Sequence, residues 1–309
     1  MQARETFSII IPNYNNSNTL RSAINSCLNQ TVKANEIIVV DDGSSDDSRS
    51  LLNQFNEQII TIYQENKGVS AARNAGAKQA TSKWLLFLDA DDEFLPQRIE
   101  SHRKIIEENT KINAVIGDQQ NIQNGSHTQK LASQDSLIAQ EIKGNSTESV
   151  SKELTENQLG RFLVEGPIEI RTLTIRKDIF DKIKGFPQGV KIGEDFHLFV
   201  KLFIEGKITY SSDVVAKYHI HENSVLRINK HATQISFINT LSNVKTEIQE
   251  ENRIFRNAVK KREESERMNL AYALLRENKK IESIKYSLKT ILRHRTLRSV
   301  RSLASIIAT

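Results

Sequence analysis

Asp89-Ala90-Asp91-Asp92 sets three carboxylates within four residues, directly after the apolar run Trp84-Leu85-Leu86-Phe87-Leu88. The run is too short for a membrane span, and it is continuous rather than alternating, as in a strand buried on both faces. Negative charge this dense at the open end of a strand repels itself unless a cation neutralises it. Hard cations such as Mg2+ or Mn2+ bind through one or two carboxylates together with substrate phosphates. An isolated acidic triplet is more often a solvated loop, so its neighbours in the fold decide between the two. A second acidic pair, Glu194-Asp195, follows Gly193 and leads into the apolar stretch Phe196–Ile204. By itself it reads as first-turn acids that favour the helix dipole. His219-Ile220-His221 lies on a strand pattern that turns both rings to one face, within reach of a metal, although a surface or core histidine is commoner.

The elements that must position these groups follow from periodicity. Phe7–Ile11, Glu36–Val40, Ile59–Tyr63 and Trp84–Leu88 read as strands, and Thr19–Leu28, a stretch with Leu51, Leu52 and Phe55, and Lys67–Ala80 read as the helices between them. Strands alternating with helices mean a mostly parallel, Rossmann-like sheet with right-handed crossovers, and ligands bind outside the carboxyl ends of its strands. Those ends carry Asn13 and Tyr14, then Asp41 and Asp42, then Asp89, Asp91 and Asp92. Convergence of three polar ends on one crevice is far less frequent by chance than one acidic loop. No glycine-rich fingerprint follows the first strand, so the dinucleotide motif is absent. Pro96 opens a further helix, and Ala114–Gly117 reads as a fifth strand. The polar stretch Asp118–Asn157 is expected to be a partly mobile excursion with a short helix near Ser136–Ile142. Leu173–Ile175 returns to the sheet, Lys177–Ile183 is a short helix, and Ile208–Ser211 and Val214–Tyr218 read as two short strands. After Ser224 the pattern is helical to the end.

The totals bound the class. The chain has 309 residues, 38% hydrophobic and 26% charged, which is ordinary for a globular protein of one or two domains. Cys27 is the only cysteine, which excludes a disulfide framework and a cysteine-based metal site, and it falls at a helical core position. No apolar run approaches a membrane span and the first residues lack a signal-peptide layout, so a cytoplasmic protein is expected. The net charge of +5 conceals an asymmetry: 18 Lys/Arg against 8 Asp/Glu from Leu226 onward, and 25 against 30 before it. Nine Lys/Arg against two Glu fall between Arg276 and Arg301. A basic amphipathic helix of this kind suits an anionic membrane surface, as a peripheral attachment at the inner face of the cell membrane; the alternative is a solvated polar face on a packed helix pair. Two domains are expected, residues 1–225 and a basic helical region 226–309, with no nucleic-acid partner.

Five motifs in order resemble a known family: Ile9-Ile10-Ile11-Pro12-Asn13-Tyr14-Asn15, Val39-Val40-Asp41-Asp42-Gly43-Ser44, Lys67-Gly68-Val69-Ser70-Ala71-Ala72-Arg73-Asn74-Ala75-Gly76, Asp89-Ala90-Asp91-Asp92 and Gly193-Glu194-Asp195. Together they look like the signature of family-2 glycosyltransferases with the GT-A fold, across about residues 6–225. The resemblance implies an inverting transfer of a sugar from a nucleoside diphosphate to an acceptor hydroxyl, assisted by Mn2+ or Mg2+. Pro12 and Tyr14 match the wall that receives the base, and Asp42 the acceptor that reads an imide N–H, which favours uracil. Asp89 matches the carboxylate near the ribose and Asp91 the metal-binding one. Asn15, Gly68 and Ala90 belong to the same nucleotide-sugar site. Arg73 sits where a guanidinium can pair with phosphate or lock the acidic loops; its plainer reading is an ion pair with Asp42 or Asp89. Asp195 matches the catalytic base, and Glu194 holds the loop or binds the acceptor. His221 lies near where some relatives supply a further metal ligand. The partners implied are a nucleotide-sugar donor of the UDP-sugar type and a glycan or lipid-linked glycan acceptor in envelope or surface polysaccharide synthesis.

Two rivals are weaker. A nucleotidyltransferase would carry a glycine-rich loop with a lysine after the first strand, where this chain has Pro12-Asn13-Tyr14-Asn15. A non-catalytic relative would have lost the carboxylates, yet Asp42, Asp89, Asp91 and Asp195 are all present.

Overall fold

The computed structural model of the chain describes residues 5–123, 126–166, 168–220 and 229–308. It divides into two compact units: Met1–Val190 with Glu194–His221, and Lys191–Gly193 with Glu222–Thr309.

The first unit begins with β1 (Phe7–Asn13), α1 (Ser17–Leu28), β2 (Glu36–Asp41), α2 (Ser48–Asn53), β3 (Ile60–Tyr63), α3 (Val69–Gln79) and β4 (Trp84–Phe87). β1 pairs in parallel with β2 and β4, and β2 with β3. The chain steps outward from β1 to β3 and then returns to the other side of β1 with β4. The strand order therefore reverses between β1 and β4, and a crevice opens at the carboxyl ends there. The unbroken apolar runs have a plain cause: Ile9, Ile10, Ile11, Leu85, Leu86 and Phe87 are wholly buried. Leu20, Ala23, Ile24 and Cys27 of α1 face the same core, and burial pushes the Cys27 thiol up to about 12 against a weak pull from Ser26, so it is inert packing. α3 lies close on the sheet. A Cβ on Gly76 would lie 2.5 Å from Ile10 Cγ2 and 3.2 Å from Val40 Cγ2.

The unit continues with β5 (Glu93–Phe94), α4 (Arg98–Glu108), β6 (Ala114–Gln123), β7 (Ser126–Leu131), α5 (Leu137–Lys143), β8 (Ser151–Glu153), α6 (Glu156–Glu165), β9 (Leu173–Arg176), α7 (Lys177–Lys182), α8 (Glu194–Glu205) and β10 (Ile208–Ile220). All ten strands form one sheet with the path β3-β2-β1-β4-β9-β6-β10-β5, β7 adding to β6 and β8 to β10. This is the sheet flanked by helices that the sequence implies: β1, β2, β3, β4, β6 and β10 run one way, and β5, β7, β8 and β9 run against them. β9 is antiparallel to both β4 and β6, while β6 and β10 are parallel.

Two local expectations are corrected and one is met. Residues 118–157 are built of elements rather than a loop excursion. Their polar residues 118–123 prolong β6 along β10, and Asp118 Oδ1 accepts from the amides of Gln119 and Ser133. The expected helix near Ser136 is α5, whose first turn is capped by the Ser136 hydroxyl accepting from Ala139 N. The two short strands after Ile208 are one strand of 13 residues with register irregularities between Tyr210 and Ala216, because both halves pair with β6.

The second unit is α9 (Lys230–Glu247), α10 (Arg253–Arg276), α11 (Lys280–His294) and α12 (Leu297–Ala308). The charged stretch Lys245–Arg267 is shared by the end of α9 and the body of α10, which runs without a break to Arg276. α10 packs on α9 and α11, and α11 on α12. Arg295 adopts left-handed backbone, φ 51°, and separates the last two helices. At the centre of the unit Glu263 is fully buried within reach of Lys245 (2.7 Å), Arg267 (2.9 Å) and Arg293 (2.6 Å).

Candidate active site

The loops that leave β1 and β2 hold each other. Asn15 takes a left-handed conformation, φ 56°; its amide donates to Ser44 Oγ and its side-chain oxygen accepts from Ser45 N at 2.8 Å. Asp46 accepts from Ser17 N and Ser48 N, so one carboxylate serves the first turns of α1 and α2. Burial would raise its pKa, but those bonds win and bring it down to about 2. Asn15 is thus placed as a brace between two loops rather than as a wall of the crevice.

The crevice is a cavity of about 280 Å³ at the strand ends. Pro12, Asn13 and Tyr14 line it from β1, Asp42 from β2, Gly68 and Val69 from the start of α3, and Asp89, Ala90 and Asp91 from the end of β4. Tyr14 is 49% exposed, so one aromatic face stands open to a flat ligand. Asp42 is buried; Oδ1 accepts from Gln64 Nε2 (2.6 Å) and Lys67 N (2.9 Å), and Oδ2 from Gly68 N (2.8 Å). A carboxylate has about four acceptor sites, so three bonds leave Oδ2 room for one more donor. Gly68 has φ 87°, which lets its amide turn back to Asp42 before α3 begins.

Arg73 points from α3 to the acidic groups. Its guanidinium lies 2.6 Å from Asp89 Oδ1 and 3.0 Å from Glu194 Oε1, and 5.1 Å from the centre of the Phe186 ring. Asp42 is not among these partners. Burial would favour a neutral guanidine, but Asp89, Glu194 and Asp195 around it raise its pKa, so the charge stays. The next residue, Asn74, exchanges hydrogen bonds with the Phe186 backbone, both 2.9 Å. Arg73 and Asn74 thereby connect the end of β4, the segment after α7 and the first turn of α8. Glu194 and Asp195 are the first residues of α8, and both are half-buried. Burial and the negative charges of Glu194 and Glu169 push Asp195 up to about 7, against the pull of Arg73 and of the Phe196 amide. Burial also acts on Asp89, yet Arg73 and Arg171 outweigh it and hold that carboxyl below its ordinary value.

Sequence reasoning missed Arg171 and its companions. Arg171 lies in the 3-10 turn Ile170–Thr172 just before β9. It donates to Asp92 Oδ2 (2.6 Å), Gln119 Oε1 (2.8 Å) and Glu169 Oε2 (3.0 Å), approaches Asp89 Oδ2 at 3.9 Å, and lies 4.3 Å from the centre of the Tyr218 ring. The reversed direction of β9 is the cause. Leu86 is opposite Thr174 in the antiparallel pair, so the residues before β9 sit beside those after β4. No signal near Arg171 in the chain predicts this, because its partner Asp92 is 79 residues away.

A divalent ion is the remaining question at this site. Among the described residues no group of three or more His, Cys, Asp or Glu could hold a metal by itself. Of the three carboxylates on the cavity wall, Asp89 is engaged by two arginines and Asp42 by Gln64, Lys67 and Gly68; the third is Asp91. One carboxylate plus ligand phosphates is an ordinary donor set for Mg2+ or Mn2+. The residues therefore fit an ion that arrives with a diphosphate and do not fit a resident centre. His219 lies 3.5 Å from Glu93 Oε1, and its amide donates to Asp92 Oδ1. His221 lies outside the described residues.

Known glycosyltransferases are similar to this chain in sequence and in fold. An uncharacterized glycosyltransferase of Rickettsia prowazekii is 32% identical over 69% of the chain and 64% of its own length; the chain thus spans somewhat under two thirds of that relative. Staphylococcus aureus TarS, solved in complex with UDP-GlcNAc, superposes with a TM-score of 0.66 at 19% identity, covering 97% of this chain and 79% of that one. The mannosyltransferase PcManGT of Pyrobaculum calidifontis, solved with GDP-Man and Mn2+, gives 0.61 at 15% identity, covering 99% and 81%. Both share the GT-A fold with this chain. The family profile described as Glycosyl transferase family 2 matches residues 8–183, ending before Glu194 and Asp195. A match that starts in β1, takes in every strand end around the cavity and extends just past α7 makes this chain a member of glycosyl transferase family 2.

Proposed function

We propose that the protein transfers a sugar from a nucleoside diphosphate sugar of the uridine type to a hydroxyl of a glycan or lipid-linked glycan, with inversion, in the synthesis of an envelope or surface polysaccharide. The observation that carries this reading is the Arg73 guanidinium, in contact with Asp89 at the end of β4 and Glu194 at the start of α8. One cation thus joins the carboxylates on the donor side of the crevice to those beside Asp195.

In this reading the uracil ring stacks on Tyr14 against Pro12, and its imide N–H donates to the remaining acceptor site of Asp42. Asp89, held ionised by Arg73 and Arg171, accepts from the ribose hydroxyls. Asp91 would hold Mn2+ or Mg2+ against the diphosphate, where the ion's charge stabilises the leaving group. Asp195 takes the proton of the acceptor hydroxyl. That oxygen forms its bond to the anomeric carbon as the bond to the diphosphate oxygen breaks, the electron pair leaving with the diphosphate. A single displacement from the opposite side inverts the anomeric centre. Glu194 keeps Arg73 in place and borders the acceptor. The nucleotide sugars named for the two structural neighbours support a nucleoside diphosphate donor, and the Mn2+ of one supports the ion.

A thermal-shift screen of nucleotide sugars with and without Mn2+ tests this, since a ligand that binds only the folded chain raises its apparent stability. UDP-sugars with Mn2+ are expected to raise the melting temperature, and Asp91→Ala to remove the metal-dependent part. Asp195→Asn is expected to keep the shift while sugar transfer falls by roughly 10²–10⁴-fold, the usual share of a general base. A shift with guanosine donors alone overturns the uracil reading, and transfer surviving in Asp195→Asn overturns the base.

A further inference from the structure

The last two helices bury small polar side chains and expose several large apolar ones, with Ile284, Ile291 and Leu303 half-buried between them. On α11 the buried positions are Ser283, Ser287, Thr290 and His294, while Ile281, Leu288 and Leu292 face outward, Leu292 at 74% exposure. On α12 Ser299 and Ser302 are buried with Ile306, while Leu297, Val300 and Ile307 face outward, Leu297 at 76%. At 100° per residue the inward and outward sets of each helix are well separated, so neither pattern is a matter of frayed ends. The inward set has a local reason. Small hydroxyl side chains allow close approach to α10, and Ser283 Oγ donates to Ala271 O at 2.6 Å. The outward set gains nothing from water. It is accompanied by Lys285, Lys289, Arg295, Arg298 and Arg301, all exposed, and from Lys280 to Ala308 only Glu282 is acidic.

We infer that α11 and α12 lie on an anionic phospholipid surface, with Leu288, Leu292, Leu297 and Val300 among the acyl chains and the lysines and arginines on the phosphates. Charge decides between occupants. An apolar stripe edged by cations complements an anionic bilayer, whereas a second copy would bring the same cations against themselves. Among the described residues no helix is long and apolar enough to cross a membrane. The inference is independent of the proposed transfer reaction, because none of these residues belongs to the crevice.

Co-sedimentation of the full chain with vesicles tests it. Vesicles of equal parts phosphatidylglycerol and phosphatidylcholine are expected to carry the protein down, pure phosphatidylcholine vesicles are not, and added salt is expected to release it. The variant L288S/L292S/L297S and the variant K285Q/K289Q/R298Q are each expected to lower the partition coefficient about tenfold or more, with helical circular dichroism unchanged. Should the first variant lose helicity, the second decides, since it changes only exposed side chains. Equal binding to neutral vesicles, no binding to anionic ones, undiminished binding by a folded variant, or a dimer on gel filtration that L288S/L292S/L297S dissolves would each overturn it. UDP-sugar thermal shifts measured on the same preparations separate this outcome from a failure of the transferase reading.

Discussion

Arg73 acts on two aspartates, Asp89 in direct contact and Asp195 through space, and the two titrate in opposite directions. Asp89 has two arginines beside it and stays ionised; Asp195 is half-buried with Glu194 and Glu169 nearby and rises to about 7. Pairs of carboxyl groups pushed apart in this way separate into a fixed charge and a proton carrier. A base must be deprotonated to work, so kcat/KM is expected to climb as pH rises through about 7 and to level above it, the lower limb reporting Asp195. Initial rates at saturating metal across that range check this; a profile flat from pH 5 to 9 (about two units either side) would assign the base elsewhere. The aspartates and Arg73 were legible as residue types at characteristic spacing. Arg171, which fastens Asp92 and stands beside Asp89, was not, because pairing over such sequence separation leaves no local pattern.

At the scale of elements, the position of Arg73 depends on how closely α3 lies on the sheet. Gly76 makes that approach possible, since a Cβ there would meet Ile10 and Val40. Gly76→Val is expected to lift α3, cost roughly 1–3 kcal/mol of stability as overpacking of a tight contact does, and weaken donor binding by displacing Arg73. Urea unfolding together with nucleotide thermal shifts measures both; full stability and full affinity in this variant would mean that the helix does not set the site. The stretch Lys67–Ala80 was readable as a helix. The direction of β9 was not, because a short apolar run looks the same in either direction, and direction is settled by which neighbours the strand finds.

At the scale of the whole molecule, a slightly acidic sheet unit and a basic helical unit are each held by buried charge. In the helical unit burial would raise the Glu263 carboxyl, but hydrogen bonds from Lys245, Ser242 and Arg267 reverse this and hold it at about 2. A carboxyl depressed by folding stabilises the fold above its unfolded pKa and loses that contribution as pH falls toward the folded value. Acidification from about pH 4.5 to about 2 is therefore expected to remove about 3 kcal/mol that Glu263→Gln never has. Melting curves of the two proteins against pH check this, and parallel curves would show that Glu263 is not the responsible group.

Local chemistry determined much from the chain alone. Buried strands announce themselves by unbroken apolar runs, helices by their period, and the carboxylates by falling where those strands end. Tertiary structure decided which partner each charge takes and which face of a helix is turned inward. Arg73 found Glu194 rather than Asp42, Arg171 was delivered by a reversed strand, and α11 buried its serines while leaving its leucines outside. The reason is common to all three. Periodicity defines which residues share a face, but the energy of turning that face one way or the other depends on atoms brought from distant parts of the chain.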